Sequence, residues 1–252
     1  MLCLKRFFHY GGDLTLDKFT PNFINAYQRQ EKELGLKNET INKQVQVVAS
    51  VLNFSVKQKT IPFNPINGFA KLKVGGKEMY FWSQQEARSF LRYADNRYPK
   101  GSSNLWVYVV YLVAINTGLR AGELWGLKVL DISPESKRIF ICRQFERIKC
   151  VYAPTKGRNT RAVPANDLVI EELLGITRGF SNDSPVFRNE QGNPIHHDNF
   201  IGRKFDKDLK EWGGRVIRFH DLRHTAITLL MALELIYGRL KISAGTLISK
   251  PR

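Results

Sequence analysis

The residues that could do chemistry are concentrated in Arg218-Phe219-His220-Asp221-Leu222-Arg223-His224-Thr225, where four of eight side chains can be cationic. An apolar run at helical spacing follows at once: Ala226, Leu229, Leu230, Leu233 and Ile236. His220 and Arg223 are three apart, so at a helix start they project from one face. The first turn of a helix also offers unpaired N–H groups and the positive end of the helix dipole. Such a gathering suits an anion, phosphate above all. The same composition would serve an ordinary solvated basic helix start, and the octapeptide by itself leaves both readings open.

A second cluster lies upstream in Thr117-Gly118-Leu119-Arg120-Ala121-Gly122-Glu123-Leu124. Leu124 and Leu127 mark the inward face of a helix that begins at Arg120. An arginine at a helix start opposes the dipole preference for acids there, which suggests a residue placed to meet an anion. Glu123, one turn on, could hold the guanidinium; a plain surface ion pair is the alternative. A third segment, Pro154-Thr155-Lys156-Gly157-Arg158-Asn159-Thr160, reads as a hairpin loop with Lys156 at its base.

The elements that must position these groups are legible from pattern. Arg138–Cys142, Val151–Ala153 and Arg161–Pro164 read as strands, the last two flanking the Lys156 loop. Ser83 and Glu86 form a capping box that opens a helix burying Ala87, Phe90 and Leu91. Leu105–Asn116 is almost wholly apolar and belongs in a core. Helices are also expected near Asp167–Leu174 and over Asp198–Trp212, the latter carrying Arg203, Lys204 and Lys207 and ended by Gly213-Gly214. Nearer the N-terminus, Leu2, Leu4, Phe7 and Phe8 read as helical. Thr20-Pro21 starts a helix with Phe23, Ile24, Tyr27 and Leu34 as its stripe. A further helix over about Thr40–Lys57 turns Val45, Val48, Leu52 and Val56 inward, with Asn38 or Glu39 as cap. Its polar side, with Lys37, Asn42, Lys43, Gln46, Lys57 and Lys59, could contact phosphates along a groove or be simply solvated. Lys71–Lys77 looks like a flexible basic linker.

Composition narrows the partner. The 252 residues hold 39 Lys and Arg against 23 Asp and Glu, a net charge of +16, with a pI near 9.9. That is the footprint of a nucleic-acid binder. Residues 1–77 carry twelve Lys/Arg against five acids and the rest 27 against 18, so the N-terminal part is denser in positive charge. No apolar run could span a bilayer, and no signal-peptide pattern is present. Cys3, Cys142 and Cys150 make neither a disulfide framework nor a metal spacing, and so sparse a set fits a reducing cytosol. His196-His197 has no zinc pattern around it, and no metal site is expected.

Taken in order, the Thr117–Leu124 motif, Thr155-Lys156 on its loop and His220–His224 resemble the tyrosine recombinases, the phage integrase family. The resemblance extends over nearly the whole chain. It implies a mainly α fold with a small antiparallel β-sheet: a helical core-binding domain over 1–70, a linker over 71–77 and a catalytic domain over 78–252. It implies that Arg120 and Arg223 clamp the non-bridging oxygens of a scissile phosphate, with His220 as a further donor. Lys156 becomes the acid that protonates the departing 5′ oxygen. Glu123 supports the arginines and His224 packs or hydrogen-bonds nearby. Lys37, Lys43, Lys57, Lys59, Arg203 and Lys204 become candidate DNA contacts. The implied reaction moves the phosphoryl group onto a tyrosine hydroxyl and requires neither metal nor other cofactor. The implied partner is double-stranded DNA, met by a monomer in solution that can form a tetramer on DNA, in bacterial or phage-infected cytoplasm and without a membrane. The sequence departs from the family after Arg223. No Leu-Gly-His element follows, and Tyr237 is the only later tyrosine, nearer to Arg223 than the family's nucleophile. It is retained as a positional candidate. A fragment, a truncated or frameshifted gene, or a relative that binds DNA without cleaving it would each give such an ending.

Overall fold

The computed structural model describes residues 2–12, 15–76, 79–155 and 159–240, with the backbone alone for 2–4, 17 and 234–240. The chain divides into two compact units, residues 1–78 and 79–252.

The first unit is built on α1 (Leu2–Gly11), α2 (Pro21–Glu33) and α3 (Asn38–Lys57). Thr20 Oγ1 accepts from Phe23 N at 3.2 Å and Pro21 occupies the first helical position, so α2 starts where the sequence signals it. Phe7, Ile24, Tyr27, Val45, Val48 and Leu52 form its core, and the Phe7 and Tyr27 rings meet edge to face at 4.8 Å. Two expectations change. Leu34 caps α2 from outside the core and is exposed. The helix cap falls on Lys37 without a side-chain bond, because Asn38 is occupied elsewhere: its Nδ2 donates to Lys73 O at 2.7 Å. Asn42 pairs with both backbone groups of Leu72, at 2.8 and 2.9 Å, and Gln28 Nε2 donates to Ala70 O at 3.0 Å. The start of the basic segment read as flexible is thus fixed along α2 and α3.

The second unit surrounds α5 (Leu105–Thr117), whose residues are apolar on every side because α4 (Gln84–Arg97), α7 (Asp167–Thr177) and α10 (Asp221–Leu240) pack around it. The Ser83–Glu86 capping box opens α4, with bonds of 3.2 and 2.7 Å. The expected 198–212 helix is α8 (His197–Phe200), a wider π segment over Ile201–Phe205 and α9 (Asp206–Trp212). Its inner side carries Asp208, fully buried and bonded by Tyr98 and Tyr111 hydroxyls at 2.9 and 2.6 Å. Along α10, Ala226 is buried, whereas Leu230 and Leu233 are exposed.

The β part differs from the expected arrangement. β1 (Ile132–Ser133), β2 (Arg138–Ile141) and β5 (Arg161–Pro164) make one antiparallel sheet in the order β1-β2-β5. β3 (Arg143–Glu146) and β4 (Val151–Pro154) make a second. Ile141 pairs with Arg161 and Arg143 with Pro154. β4 and β5, which flank the Lys156 segment, therefore do not pair with each other: β4 pairs with β3 and β5 with β2. β3 escapes the sequence pattern because its four residues are all half-buried and show no alternation. Among the described residues no helix is long and apolar enough to cross a membrane.

Candidate functional site

The site is assembled where α5, α6 (Ala121–Trp125), β5 and α10 meet. Gly118 ends α5 in the left-handed conformation, φ +62°. A side chain there would also crowd α10, since its Cβ would lie 3.3 Å from Ala226 Cβ. That close approach brings the Arg223 guanidinium to the end of α5, where Nη1 donates to Gly118 O. α6 begins three residues later. It is seated against β3 at Gly126, where an added Cβ would stand 2.9 Å from Gln144 Cα. From the other direction, Thr225 on α10 is buried and accepts from Trp82 N at 3.0 Å, tying α10 to the segment that leads into α4.

Arg120 is the N-cap residue of α6. Glu123 Oε2 accepts from Arg120 N at 2.9 Å, and Oε1 accepts from Arg120 Nη1 at 2.9 Å. Glu123 is only 1% exposed. Its carboxylate is also gripped by Arg161, the first residue of β5, with Nη1 to Oε1 at 2.9 Å and Nη2 to Oε2 at 2.7 Å. Burial by itself would raise the Glu123 carboxyl, but the bonds from Arg161 and Arg120 outweigh it and hold the group at about 2. Arg223 is half-buried. Burial first, then the neighbouring charge of Arg120, lowers its guanidinium pKa, with Arg161 adding to the same effect. These cations therefore share one field, and an anion would relieve their repulsion.

His220 sits on the turn before α10, its ring 5.4 Å from that of His224 and edge-on to it. Burial, then the His224 charge, pushes the His220 pKa below the ordinary histidine range. At pH 7 it is neutral and can donate one N–H. Arg218 departs from the sequence expectation. Its Nε and Nη2 donate to the Asp221 carboxylate at 2.9 and 2.7 Å, and Asp221 is fully buried. One of the four cations of the octapeptide is thus committed to fixing the helix start.

The structure brings Arg120, Glu123, His220, Arg223 and His224 to one end of the second unit. Lys156 lies outside the described residues; its neighbours Thr155 and Asn159 are joined by Thr155 Oγ1 donating to Asn159 O at 2.7 Å. Tyr237 falls within α10 by backbone. Lys37, Lys43, Lys57, Lys59 and Arg203 are exposed. Lys43 and Lys57 fall within roughly 40° of each other around α3, and Lys43 pairs with Glu39 at 2.9 Å. Val47, Val51 and Phe54 are exposed beside them, so this side of α3 is mixed rather than purely polar. Lys204 is half-buried, with Nζ donating to Asn104 Oδ1 at 3.2 Å. Among the described residues no group of three His, Cys, Asp or Glu side chains is placed to hold a metal ion.

Arg161 is the residue that sequence reading passed over. Its signal was indirect: an acid one residue from the inward-facing Leu124 needs more than one exposed arginine to stay charged when buried.

The model of the phage integrase family matches residues 81–234, more than half of the chain. The chain belongs to that family. It is 25% identical over 232 residues to the ICEBs1 integrase of Bacillus subtilis (strain 168), covering 86% of this chain and 60% of that one. It is also 25% identical over 247 residues to a tyrosine recombinase XerC-like protein of Caldanaerobacter subterraneus subsp. tengcongensis, covering 88% and 62%. The chain thus spans about 60% of the length of these curated relatives. Among solved structures, the Tn1549 transposon integrase in complex with transposon right end DNA superposes with a TM-score of 0.71 at 21% identity, covering 98% of this chain and 89% of that one. A lambda integrase tetramer bound to a Holliday junction gives 0.66 at 17%, covering 91% and 65%. The shared fold of this integrase family is mainly α with a small antiparallel sheet, as the chain shows.

Proposed function

We propose that this chain is the DNA-engaging and phosphate-activating part of a site-specific recombinase of mobile-element integration or excision. The observation that carries the reading is the convergence of Arg120 and Arg223, from two different helices, with His220 beside them. Guanidinium forks suit the two non-bridging oxygens of one DNA phosphate. In this reading they hold that phosphate and stabilise the extra charge it gains in the transition state. His220 donates to the same group. Lys156 gives its proton to the departing 5′ oxygen as a tyrosine hydroxyl takes over the phosphorus, leaving a 3′-phosphotyrosine. Residues 1–70 act as the core-binding domain, joined through 71–77 to the catalytic domain at 78–252. Lys37, Lys43, Lys57, Lys59 and Arg203 contact phosphates, and Lys204, which bonds Asn104, lies beside Arg203 in the chain.

The Tn1549 and lambda integrase structures hold those proteins on DNA, and the lambda integrase ones include a dimer and a tetramer. By analogy the present chain is proposed to be a monomer in solution that assembles on duplex DNA, in the cytoplasm of a bacterium. Size-exclusion chromatography with and without DNA checks the assembly.

The function is tested with a nicked duplex half-site. Affinity should fall steeply as salt rises, because bound phosphates release counterions. A denaturation-resistant protein–DNA adduct should form. Its loss in Tyr237→Phe would assign the nucleophile to Tyr237, and its persistence would assign another tyrosine. Salt-dependent binding with no adduct would leave DNA binding standing and remove cleavage by this chain.

A further inference from the structure

We propose that Arg161 is a positioning residue for the phosphate site: it takes up the Glu123 carboxylate so that Arg120 keeps its charge and its free donors for DNA. The inference rests on the phosphate-clamp reading above and adds a residue and a role to it.

The bonding pattern carries the argument. Glu123 is needed where it is, because it accepts the Arg120 backbone N–H and so fixes the start of α6. Its position beside Arg120 is also a hazard. A carboxylate normally takes a guanidinium bidentately, and a bidentate Arg120–Glu123 pair would be neutral and turned inward. Arg161 prevents that by occupying both carboxylate oxygens, at 2.9 and 2.7 Å. Arg120 is left with a single side-chain bond through Nη1. Among the described residues its Nε and Nη2 have no hydrogen-bond partner, and its side chain is 44% exposed. With Arg161 present, the trio of Arg120, Arg161 and Glu123 keeps a net charge of +1, and Arg223 raises the site to +2. Without it the trio becomes an inward-facing neutral pair. Strand β5 supplies the geometry: pairing of Arg161 with Ile141 sets its side chain at the end of the sheet that faces α6.

Arg161 is a positioning residue because its donors are directed at Glu123. A merely structural role predicts that losing it would lower stability and nothing more. The charge-balancing role predicts a specific rescue. Binding of the full chain to a fluorescein-labelled duplex half-site is followed by anisotropy at fixed salt and pH 8, for wild type, Arg161→Ala, Arg161→Lys, Glu123→Gln and the Arg161→Ala/Glu123→Gln double variant. Thermal melts confirm folding. Arg161→Ala should weaken binding about 5–10-fold, and Arg161→Lys should recover only part, since an ammonium cannot take both oxygens. The double variant should bind more tightly than Arg161→Ala, because removing the carboxylate charge releases Arg120. A double variant that binds no better than Arg161→Ala, with both folded, overturns the proposal. Should Arg161→Ala not fold, Arg161→Lys with and without Glu123→Gln gives the same comparison, and no rescue there likewise overturns it. A wild type that does not bind DNA at all defeats the phosphate-clamp reading itself, an outcome distinct from loss of rescue.

Discussion

Two arginine turns in this chain have the same local pattern and different side-chain bonding. Arg120 precedes Glu123 by three residues, and Arg218 precedes Asp221 by three. In both, a buried acid accepts the backbone N–H of the arginine, at 2.9 and 3.0 Å, and pins the start of a helix. The difference lies in who else holds the acid. Glu123 is shared with Arg161, so Arg120 makes one side-chain bond to it. Among the described residues Arg218 is the arginine that bonds Asp221, and two donors of its guanidinium are engaged. The comparison teaches that a third residue, distant in sequence, decides how many donors an arginine spends on the acid that pins its helix.

The largest expected effect separates the two turns by activity. Arg120→Ala should reduce phosphotyrosine adduct formation on a nicked half-site by roughly 10²–10³, the usual cost of one donor to a developing anion. Arg218→Ala should reduce it less than about tenfold. Equal losses would erase the distinction. Stability should show the reverse order. Arg218→Ala strips a buried carboxylate of charged hydrogen bonds and should cost about 2 kcal/mol in denaturant unfolding. Arg120→Ala leaves Glu123 held by Arg161 and by a backbone N–H and should cost less than about 1 kcal/mol.

The smallest effect is the acid titration. Glu123 is held at about 2 in the folded chain, against burial that would raise it. Its contribution to stability is therefore complete above the unfolded glutamate range and is lost as pH falls from that range towards 2. Asp221 follows the same sign, since the Arg218 bonds overcome its burial. Unfolding followed between pH 6 and 3 should show Glu123→Gln with a shallower acid slope than wild type. An unchanged slope would mean that Glu123 is not the charged hub described here.

Much of this site was legible in the chain before any coordinates. Arg120, Glu123, His220 and Arg223 stand out because a cation at a helix start and an i, i+3 pair are local events, read from spacing. The capping box at Ser83, the Thr20-Pro21 start and the apolar α5 are likewise local, and local bonding determines them. Pairing of distant segments was not legible. Nothing in Arg161-Ala162-Val163-Pro164 says that it pairs with β2 rather than with β4. Strand partners are chosen by the core that both faces meet, and here two small sheets divide one hairpin. The sequence by itself determined which residues carry charge and where helices begin. Only the tertiary structure decided which of those charges are left free, because a buried carboxylate takes whichever arginine the fold delivers to it, and that delivery depends on strands 38 residues apart from it in the chain.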